Sequence, residues 1–293
     1  MKAFMQRELT YSPKFLETLI VDIPKISSEH SPYCKTYLLL QKIAKTAVEF
    51  LFSEESLQER SFSPFGQLSF PYTTMGAIDS LDLFGLDELI IFSLYWFHRE
   101  SYKNTLDIGA NLGLHSIIME KCGFTVTAFE PDPLHFEKMQ ANLSANHCTK
   151  IKAIRAAISN KKGEANFVRV LGNTTSSHLQ GAKIPYGNLE TFKVPIENIE
   201  EYIADIDLMK MDAEGHEAEI LLAIDKSHWK HLDAILEIGS NENAKQIYTY
   251  LQKHTIPSFS QKNGWQKVVA LEDMPVSYRD GSLFISKNRA PFR

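Results

Sequence analysis

The amino-acid sequence predicts an α/β fold built on a doubly wound, largely parallel sheet, with a helical extension at its N-terminal end. From Thr105 onward, short apolar runs alternate with segments of helical periodicity, and this alternation is typical of a parallel sheet whose helices cover both faces. A glycine-rich turn follows the first of these runs, in TLDIGANLGLHS. Such a turn between a strand and a helix predicts a ligand site at the carboxyl edge of the sheet.

Composition restricts the class of protein further. The chain has 293 residues, 44% hydrophobic and 11% aromatic, which is enough apolar material for a packed domain. Its longest apolar run, Leu89 to Phe97, is far shorter than the ~20 residues of a bilayer span, and Met1 to Leu9 lacks a signal-peptide core. We therefore expect a cytoplasmic protein without membrane insertion. The net charge of −5 disfavours nucleic acid as a partner and favours a small-molecule or glycan acceptor.

Three cysteines, Cys34, Cys122 and Cys148, show no metal-ligand spacing. An odd number without such spacing indicates reduced thiols, and we assign them no chemistry.

Before the sheet, the sequence predicts two units. Residues 1–60 form a helical N-terminal extension whose amphipathic helix, Tyr33 to Phe52, is expected to pack on the domain or on a second subunit, which allows a homodimer. Residues 61–104 comprise an irregular, turn-rich cap, Ser61 to Leu83, and a helix from Gly85 that leads into the first strand. Residues 105–293 then form the ligand-binding domain.

Within that domain the predicted order is a strand to Asp107, a helix, a strand ending at Glu130 and a further helix. Later strands are predicted at Ile151–Ile158, Gly163–Val170, Thr191–Ile196, Asp207–Asp212 and Ala234–Ile238, and Trp265–Leu271 and Ser282–Ile285 are expected to form a closing antiparallel hairpin. The long polar loop from Gly172 to Glu190 is expected to be functional, because loops of that length are uncommon inside a compact domain.

The residues of the glycine turn indicate which ligand it binds. Asp107 precedes Gly109, and Asn111 stands where the dinucleotide fingerprint G-x-G-x-x-G has its second glycine. A carboxylate there disfavours a pyrophosphate but suits S-adenosylmethionine, which carries a sulfonium and an ammonium and no phosphate. Glu130 ends the next apolar run about twenty residues on, where an acid can bind both ribose hydroxyls.

Two other classes of function stay open. An NAD-dependent oxidoreductase is disfavoured by Asp107 and Asn111, and a non-catalytic binding protein could keep the same fold.

With DIGANLGLHS, FEPDP, RAAIS, GNTTSSH and LMKMDAEGHEAEIL in this order, the chain resembles the FkbM family of S-adenosylmethionine-dependent methyltransferases from Phe62 to the C-terminus. The resemblance implies a seven-strand methyltransferase sheet with a last antiparallel strand. It also implies O-methylation of a hydroxyl, often on a sugar of a glycolipid or polysaccharide or on a secondary metabolite.

The predicted cofactor-binding residues are Asp107, Gly109, Ala110, Asn111, Gly113, His115, Glu130, Pro131, Ala157, Ser176, Asp212 and Glu214. The predicted catalytic residues are His216, Asp212 and His178.

We expect His216 to be the general base, oriented by Asp212 or Glu214, because it lies at a strand-to-helix junction. Phe62–Phe84 and Gly172–Glu190 are expected to form the acceptor walls. A magnesium site at Asp212, Glu214 and Glu237 is left open, and no metal is assigned.

Overall fold

The computed structural model describes residues 14–53 and 58–293. Parts of the predicted N-terminal extension, residues 1–13 and 54–57, therefore lie outside the described residues. A central sheet of eight strands has the order β13-β12-β14-β11-β10-β3-β4-β5. The strands of this sheet are β3 (Asn104–Ile108), β4 (Thr125–Phe129), β5 (Ile151–Ile154), β10 (Leu208–Met211), β11 (Asp233–Leu236), β12 (Ser258–Ser260), β13 (Gln266–Lys267) and β14 (Leu283–Ile285).

The α-helices of the described residues are α1 (Lys14–Asp22), α2 (Lys35–Phe52), α3 (Leu86–Phe97), α4 (Leu114–Lys121), α5 (Pro133–Ala145), α6 (Glu217–Ala223) and α7 (Asn241–Lys253). The buried side chains of α3, α4 and α5 pack in one core, and those of α6 and α7 pack in a second core on the opposite face of the sheet. The predicted doubly wound α/β class is thereby confirmed.

Strand alternation decides which side chains face each core. In β3, Leu106 and Ile108 belong to the core that α6 and α7 cover, so Asp107 between them points to the opposite face, where Ser116 of α4 donates to it. Lys210 of β10 is the parallel-strand partner of Asp107. Asp107 and Lys210 therefore lie side by side on neighbouring strands, on the face of the sheet that α4 covers.

The last strands confirm the predicted antiparallel strand but not the predicted hairpin. Strand β14 pairs antiparallel with both β11 and β12. The run expected from Trp265 to Leu271 contributes only the two-residue β13, which pairs with β12 and not with β14. The hairpin prediction was wrong because β12, a strand that the sequence analysis did not predict, lies between β13 and β14 in the sheet. The short β13 is also why the sheet has eight strands and not seven.

A second sheet lies beside the first, with the order β6-β9-β7-β8. Its strands are β6 (Ala157–Ser159), β7 (Gly163–Val170), β8 (His178–Leu179) and β9 (Leu189–Asn198). The run Ile151–Ile158 was predicted as one strand, but it divides between β5 of the central sheet and β6 of the second sheet, with a turn closed by the Ala156 N–H to the Ile154 carbonyl. Because apolar residues continue through this turn, the sequence pattern does not reveal where the first strand ends.

The N-terminal extension shares the core of the sheet. Leu16, Ile20, Tyr37 and Phe52 are buried in the same apolar cluster as α3 and α4. The cap adds the small hairpin β1 (Glu59–Ser61) and β2 (Gln67–Ser69). Most of its apolar side chains pack in that cluster too. The proposed division of the chain into an extension, a cap with its lead-in helix and a ligand-binding domain, at residues 60 and 104, stays a prediction.

Helix α2 also has an outer face, on which Leu39 and Ile43 are exposed. The expected homodimer through this helix stays a prediction. Within the described ranges, none of the helices combines the length and the apolar character required to cross a membrane.

Candidate active site

A cavity of about 800 Å³ opens at the carboxyl edge of the parallel strands. Its lining includes the residues that follow β3, β4, β5, β10 and β11, together with parts of the cap and of the Gly172–Glu190 loop. This is the edge where open α/β sheets bind ligands, because the loops after neighbouring strands diverge there. Of the predicted site residues, Gly109, Asn111, Glu130, Pro131, Ala157, Ser176, His178, Asp212, Glu214 and His216 line this cavity.

The glycine turn brings the ends of β3 and β10 into contact. Gly109 has a φ of +77°, and a side-chain carbon there would overlap the carbonyl oxygen of Asp212. Only glycine combines that backbone angle with that approach. Asn111 is also left-handed, with a φ of 53°, and its Oδ1 is shielded from solvent without a partner among the described residues. That oxygen is available to a donor on a ligand.

Glu130 is the best fixed acid of the cavity. Its Oε2 accepts from the Asn111 N–H and its Oε1 accepts from the Asp132 N–H, each at 2.8 Å. Each carboxylate oxygen has a second lone pair, so the predicted contact with two ribose hydroxyls is compatible with these bonds. Burial raises the pKa of Glu130 to about 8, although both backbone N–H groups favour its charged form.

The raised pKa of Glu130 leads to a first prediction. A hydroxyl donor binds the ionised carboxylate better, so the affinity for S-adenosylhomocysteine should rise several-fold as pH increases from about 6 to 8 and then level off. In Glu130→Gln this contribution disappears, and at pH 8 binding should weaken by about 1–3 kcal/mol.

Calorimetric titrations at several pH values would measure both effects. If the affinity for S-adenosylhomocysteine depended on pH in the same way in the wild type and in Glu130→Gln, Glu130 would not be the residue that binds the ribose. Without ligand, the same group should make the fold less stable as pH rises from its ordinary pKa of 4.5 towards 8, because in this range the carboxyl of the unfolded chain loses its proton while the buried one keeps it.

Four of the predicted cofactor residues, Asp107, Ala110, Gly113 and His115, are outside the cavity lining. Asp107 is fully buried, accepts from Ser116 at 2.6 Å and lies 3.8 Å from the Nζ of Lys210. Its carboxylate therefore contacts Ser116 and Lys210 and does not line the cavity. Direct contact between Asp107 and a cofactor stays a prediction. His115 instead supports the lining residue Glu88, whose Oε2 is 2.8 Å from His115 Nε2.

His178 is 3% exposed and lines the cavity. Its Nδ1 lies 2.9 Å from the Ser176 carbonyl oxygen, which can only accept, so Nδ1 carries the proton in that bond. In the neutral ring Nε2 is then an acceptor, and it is shielded from solvent with no partner in the described part of the chain. A fixed ring with an unused acceptor atom is what a proton-accepting role requires.

His216 also lines the cavity, but its ring is bound elsewhere. Its Nε2 is 3.0 Å from Ser159 Oγ and 3.6 Å from Glu219 Oε2, and the Ser159 hydroxyl donates to Glu219. We expected Asp212 or Glu214 to orient this ring, and that expectation was wrong because β6 places Ser159 against α6. Burial lowers the pKa of His216, which makes it a weaker base.

Glu214 is engaged by the opposite wall. Lys183, on the loop of the second sheet, forms an ion pair with Glu214 and also lines the cavity. The pair joins the Gly172–Glu190 loop to the segment that follows β10. No group of three or more His, Cys, Asp or Glu side chains in the described residues could hold a metal ion, so Asp212, Glu214 and Glu237 do not gather as a magnesium site.

The two predicted acceptor walls meet each other. Ala77 donates to the Gly172 carbonyl and Thr174 donates to the Met75 carbonyl, which ties the cap to the long loop. From the cap, however, only Ile78, Asp82 and Leu83 reach the cavity, whereas the loop contributes Asn173–Leu179, Lys183 and Tyr186. The loop is therefore the larger wall.

Buried Arg169 holds the second sheet against the end of β4. Its guanidinium donates to both Asp132 carboxylate oxygens at 2.7 and 2.6 Å, and Asp132 also caps α5. This paired contact is geometrically specific, and it sets the loop wall relative to Glu130. Sequence reasoning missed Arg169, and it also missed the lining residues Glu88 and Lys183.

The family model described as the methyltransferase FkbM domain matches residues 107–262, more than half of the chain. The chain belongs to the FkbM methyltransferase family. The resemblance inferred from the motifs is thereby confirmed, although the matched segment is narrower than Phe62 to the C-terminus. We call residues 107–262 the FkbM segment. The lining residues that follow β3, β4, β5, β10 and β11 all lie inside it.

Curated relatives carry related names. The methyltransferase sdnD of Sordaria araneosa is 29% identical over 159 residues, which cover 43% of this chain and 61% of that protein. The hexuronic acid methyltransferase AglP of Haloferax volcanii is 26% identical over 159 residues, covering 50% and 60% respectively. The chain thus spans about three fifths of each relative's length. A solved structure, the human methyltransferase 10 domain containing protein, has 15% identity and a TM-score of 0.42, covering 78% of this chain and 91% of its own.

Proposed function

We propose that the chain is an S-adenosylmethionine-dependent O-methyltransferase that acts on a hydroxyl of a sugar, a glycan or glycolipid, or a secondary metabolite. One observation carries this proposal. The glycine turn, Glu130 and the strand end at Asp212 line the same cavity as the polar loop with His178. A cofactor region and an acceptor wall thus share one space, as a transfer reaction requires.

The residues of the cavity fit this cofactor. Glu130 can accept from ribose hydroxyls, Asn111 Oδ1 is a buried acceptor without a partner, and Gly109 leaves room for a close approach of the turn. The carboxylates of Glu88 and Asp212 line the same cavity and favour a cationic ligand over a pyrophosphate. This argument against NAD no longer depends on Asp107.

In the proposed reaction the chain positions two partners and accepts one proton. When bound, S-adenosylmethionine would supply an electrophilic methyl group, whose bond to the positively charged sulfur breaks in the transfer and leaves S-adenosylhomocysteine. The loop wall orients the acceptor hydroxyl, and Nε2 of His178 accepts its proton as the oxygen forms its new bond to carbon. The ion pair of Lys183 and Glu214 fixes the loop wall beside the segment that follows β10.

A calorimetric comparison of S-adenosylhomocysteine with NAD⁺ tests the cofactor, and binding of NAD⁺ alone would contradict the proposal. The acceptor is tested by incubating the protein and S-adenosylmethionine with nucleotide sugars, glycans, glycolipids and secondary metabolites. We expect mass spectrometry to detect a product heavier by one methyl group. Tight S-adenosylhomocysteine binding with no turnover on any acceptor would favour the non-catalytic alternative.

A further inference from the structure

Glu88 reaches the cavity from outside the FkbM segment. It lies in the first turn of α3, lines the cavity, and its side chain is 22% exposed. Because the family match begins at residue 107, the matched motifs do not include this position.

The orientation of Glu88 is set by two further side chains. Its Oε2 lies 2.8 Å from Nε2 of His115, whose Nδ1 lies 2.9 Å from the Tyr95 hydroxyl. Burial raises the pKa of Tyr95 well above its ordinary value, so this hydroxyl keeps its proton and is able to donate it to Nδ1 of a neutral His115 ring. Nε2 of His115 then carries the proton that it donates to Glu88. The carboxylate is thus held in one place before any ligand binds.

The charges around Glu88 leave an excess of negative charge. Asp212 and Glu237 line the same cavity, where Lys183 is already paired with Glu214, and Lys210 lies 3.8 Å from Asp107, its partner across the strands. Burial, together with the charges of Asp212 and Glu88, raises the pKa of Glu237 well above its ordinary value. A ligand cation placed here would relieve this repulsion.

This acidic side of the cavity is distant from Glu130. In the sheet order β4-β3-β10-β11, Glu130 follows β4 and Glu237 follows β11. Three strand spacings of about 4.8 Å separate them, or about 14 Å. S-adenosylmethionine carries its ribose hydroxyls and its amino-acid tail at well-separated positions, so both ends can be recognised by different acids.

We propose that Glu88 binds the α-ammonium group of the methionine end of the cofactor, so that helix α3 completes the cofactor site begun by the FkbM segment. This inference rests on the proposed function and assigns the direction in which the cofactor lies: ribose towards Glu130, amino-acid tail towards Glu88.

The test compares two ligands that differ in the tail. S-adenosylhomocysteine has the ammonium, whereas 5′-methylthioadenosine keeps the nucleoside and the thioether but lacks the amino acid. In Glu88→Gln the amide oxygen can still accept from His115, so we expect the fold to persist. Affinity for S-adenosylhomocysteine should fall roughly ten- to hundredfold, and affinity for methylthioadenosine should change less than about twofold.

Glu100→Gln is the matched control, because Glu100 follows the end of the same helix, its side chain is 89% exposed and it does not line the cavity. It should leave both affinities within about twofold of the wild type. If Glu88→Gln lowers the melting temperature strongly, Glu88→Asp retains the charge and the same comparison of ligands applies.

An equal loss for both ligands in the Glu88 variants would overturn the inference, since Glu88 would then only shape the cavity. Unchanged affinity for both would overturn it as well. The proposed function fails separately, if wild-type protein binds neither ligand.

Discussion

Replacing His178 by asparagine is expected to lower kcat for methyl transfer by about 10²–10⁴-fold, the usual contribution of a general base. A sugar hydroxyl is far too weak an acid to be ionised at neutral pH, so a side chain must accept its proton. His178 Nε2 is a buried ring nitrogen of the cavity wall without a partner among the described residues, while Nδ1 is fixed on the Ser176 carbonyl. An asparagine amide can still donate to that carbonyl, but it cannot accept the proton.

The matched control for His178 is His216→Asn. Because Nε2 of His216 already contacts Ser159 and its pKa is lowered by burial, we expect this variant to retain kcat within about tenfold. The measurement is initial rate at saturating S-adenosylmethionine, on the first acceptor that gives a methylated product, with S-adenosylhomocysteine affinity determined in parallel. The assignment would fail if His216→Asn lost turnover while His178→Asn kept it.

Gly109→Ala is expected to abolish measurable binding of S-adenosylhomocysteine. The added methyl group would overlap the Asp212 carbonyl oxygen, so the ends of β3 and β10 must separate. Both the glycine turn and the strand end at Asp212 line the cavity, and their separation would displace residues on two sides of the ligand. Left-handed backbone strain adds about 1–2 kcal/mol.

Gly123→Ala separates the two effects of that substitution. Gly123 has a φ of +100°, but nothing lies within 4 Å of a side-chain carbon placed there. This variant therefore carries the backbone strain without the overlap, and it should bind S-adenosylhomocysteine like the wild type. Calorimetry of unfolding should place Gly109→Ala several degrees below Gly123→Ala. Equal binding by the two alanine variants would show that the contact between β3 and β10 does not shape the site.

Much of the fold was accessible from local sequence pattern. Apolar runs that end in Asp107, Glu130 and Asp212 mark three parallel strands, and parallel strands bring their carboxyl ends to one edge. That rule alone placed Glu130, Asn111 and Asp212 in one cavity. It failed at Ile151–Ile158, where apolar side chains continue through a turn between two sheets.

Side-chain direction was harder to predict than strand position. Asp107 lies at the end of β3, but the two-residue alternation of the strand turns its carboxylate towards Ser116 and Lys210 and away from the cavity. The contribution of α3 was also hidden, because Glu88 lies in an ordinary helix start, where an acid is expected for the helix dipole alone.

The sequence by itself determined the α/β class, the glycine turn at the end of the first strand, the acid after the second, and membership of the FkbM family. These follow from periodicity and from residues close together in the chain. Only the tertiary structure showed that Nε2 of His178 has no partner among the described residues, whereas Nε2 of His216 contacts Ser159. That difference depends on Ser159 and Glu219 meeting His216, and on Ser176 fixing His178, contacts that arise when β6 and β8 pack beside the central sheet. Hydrogen bonds between segments that are distant in the chain cannot be predicted from the local sequence pattern.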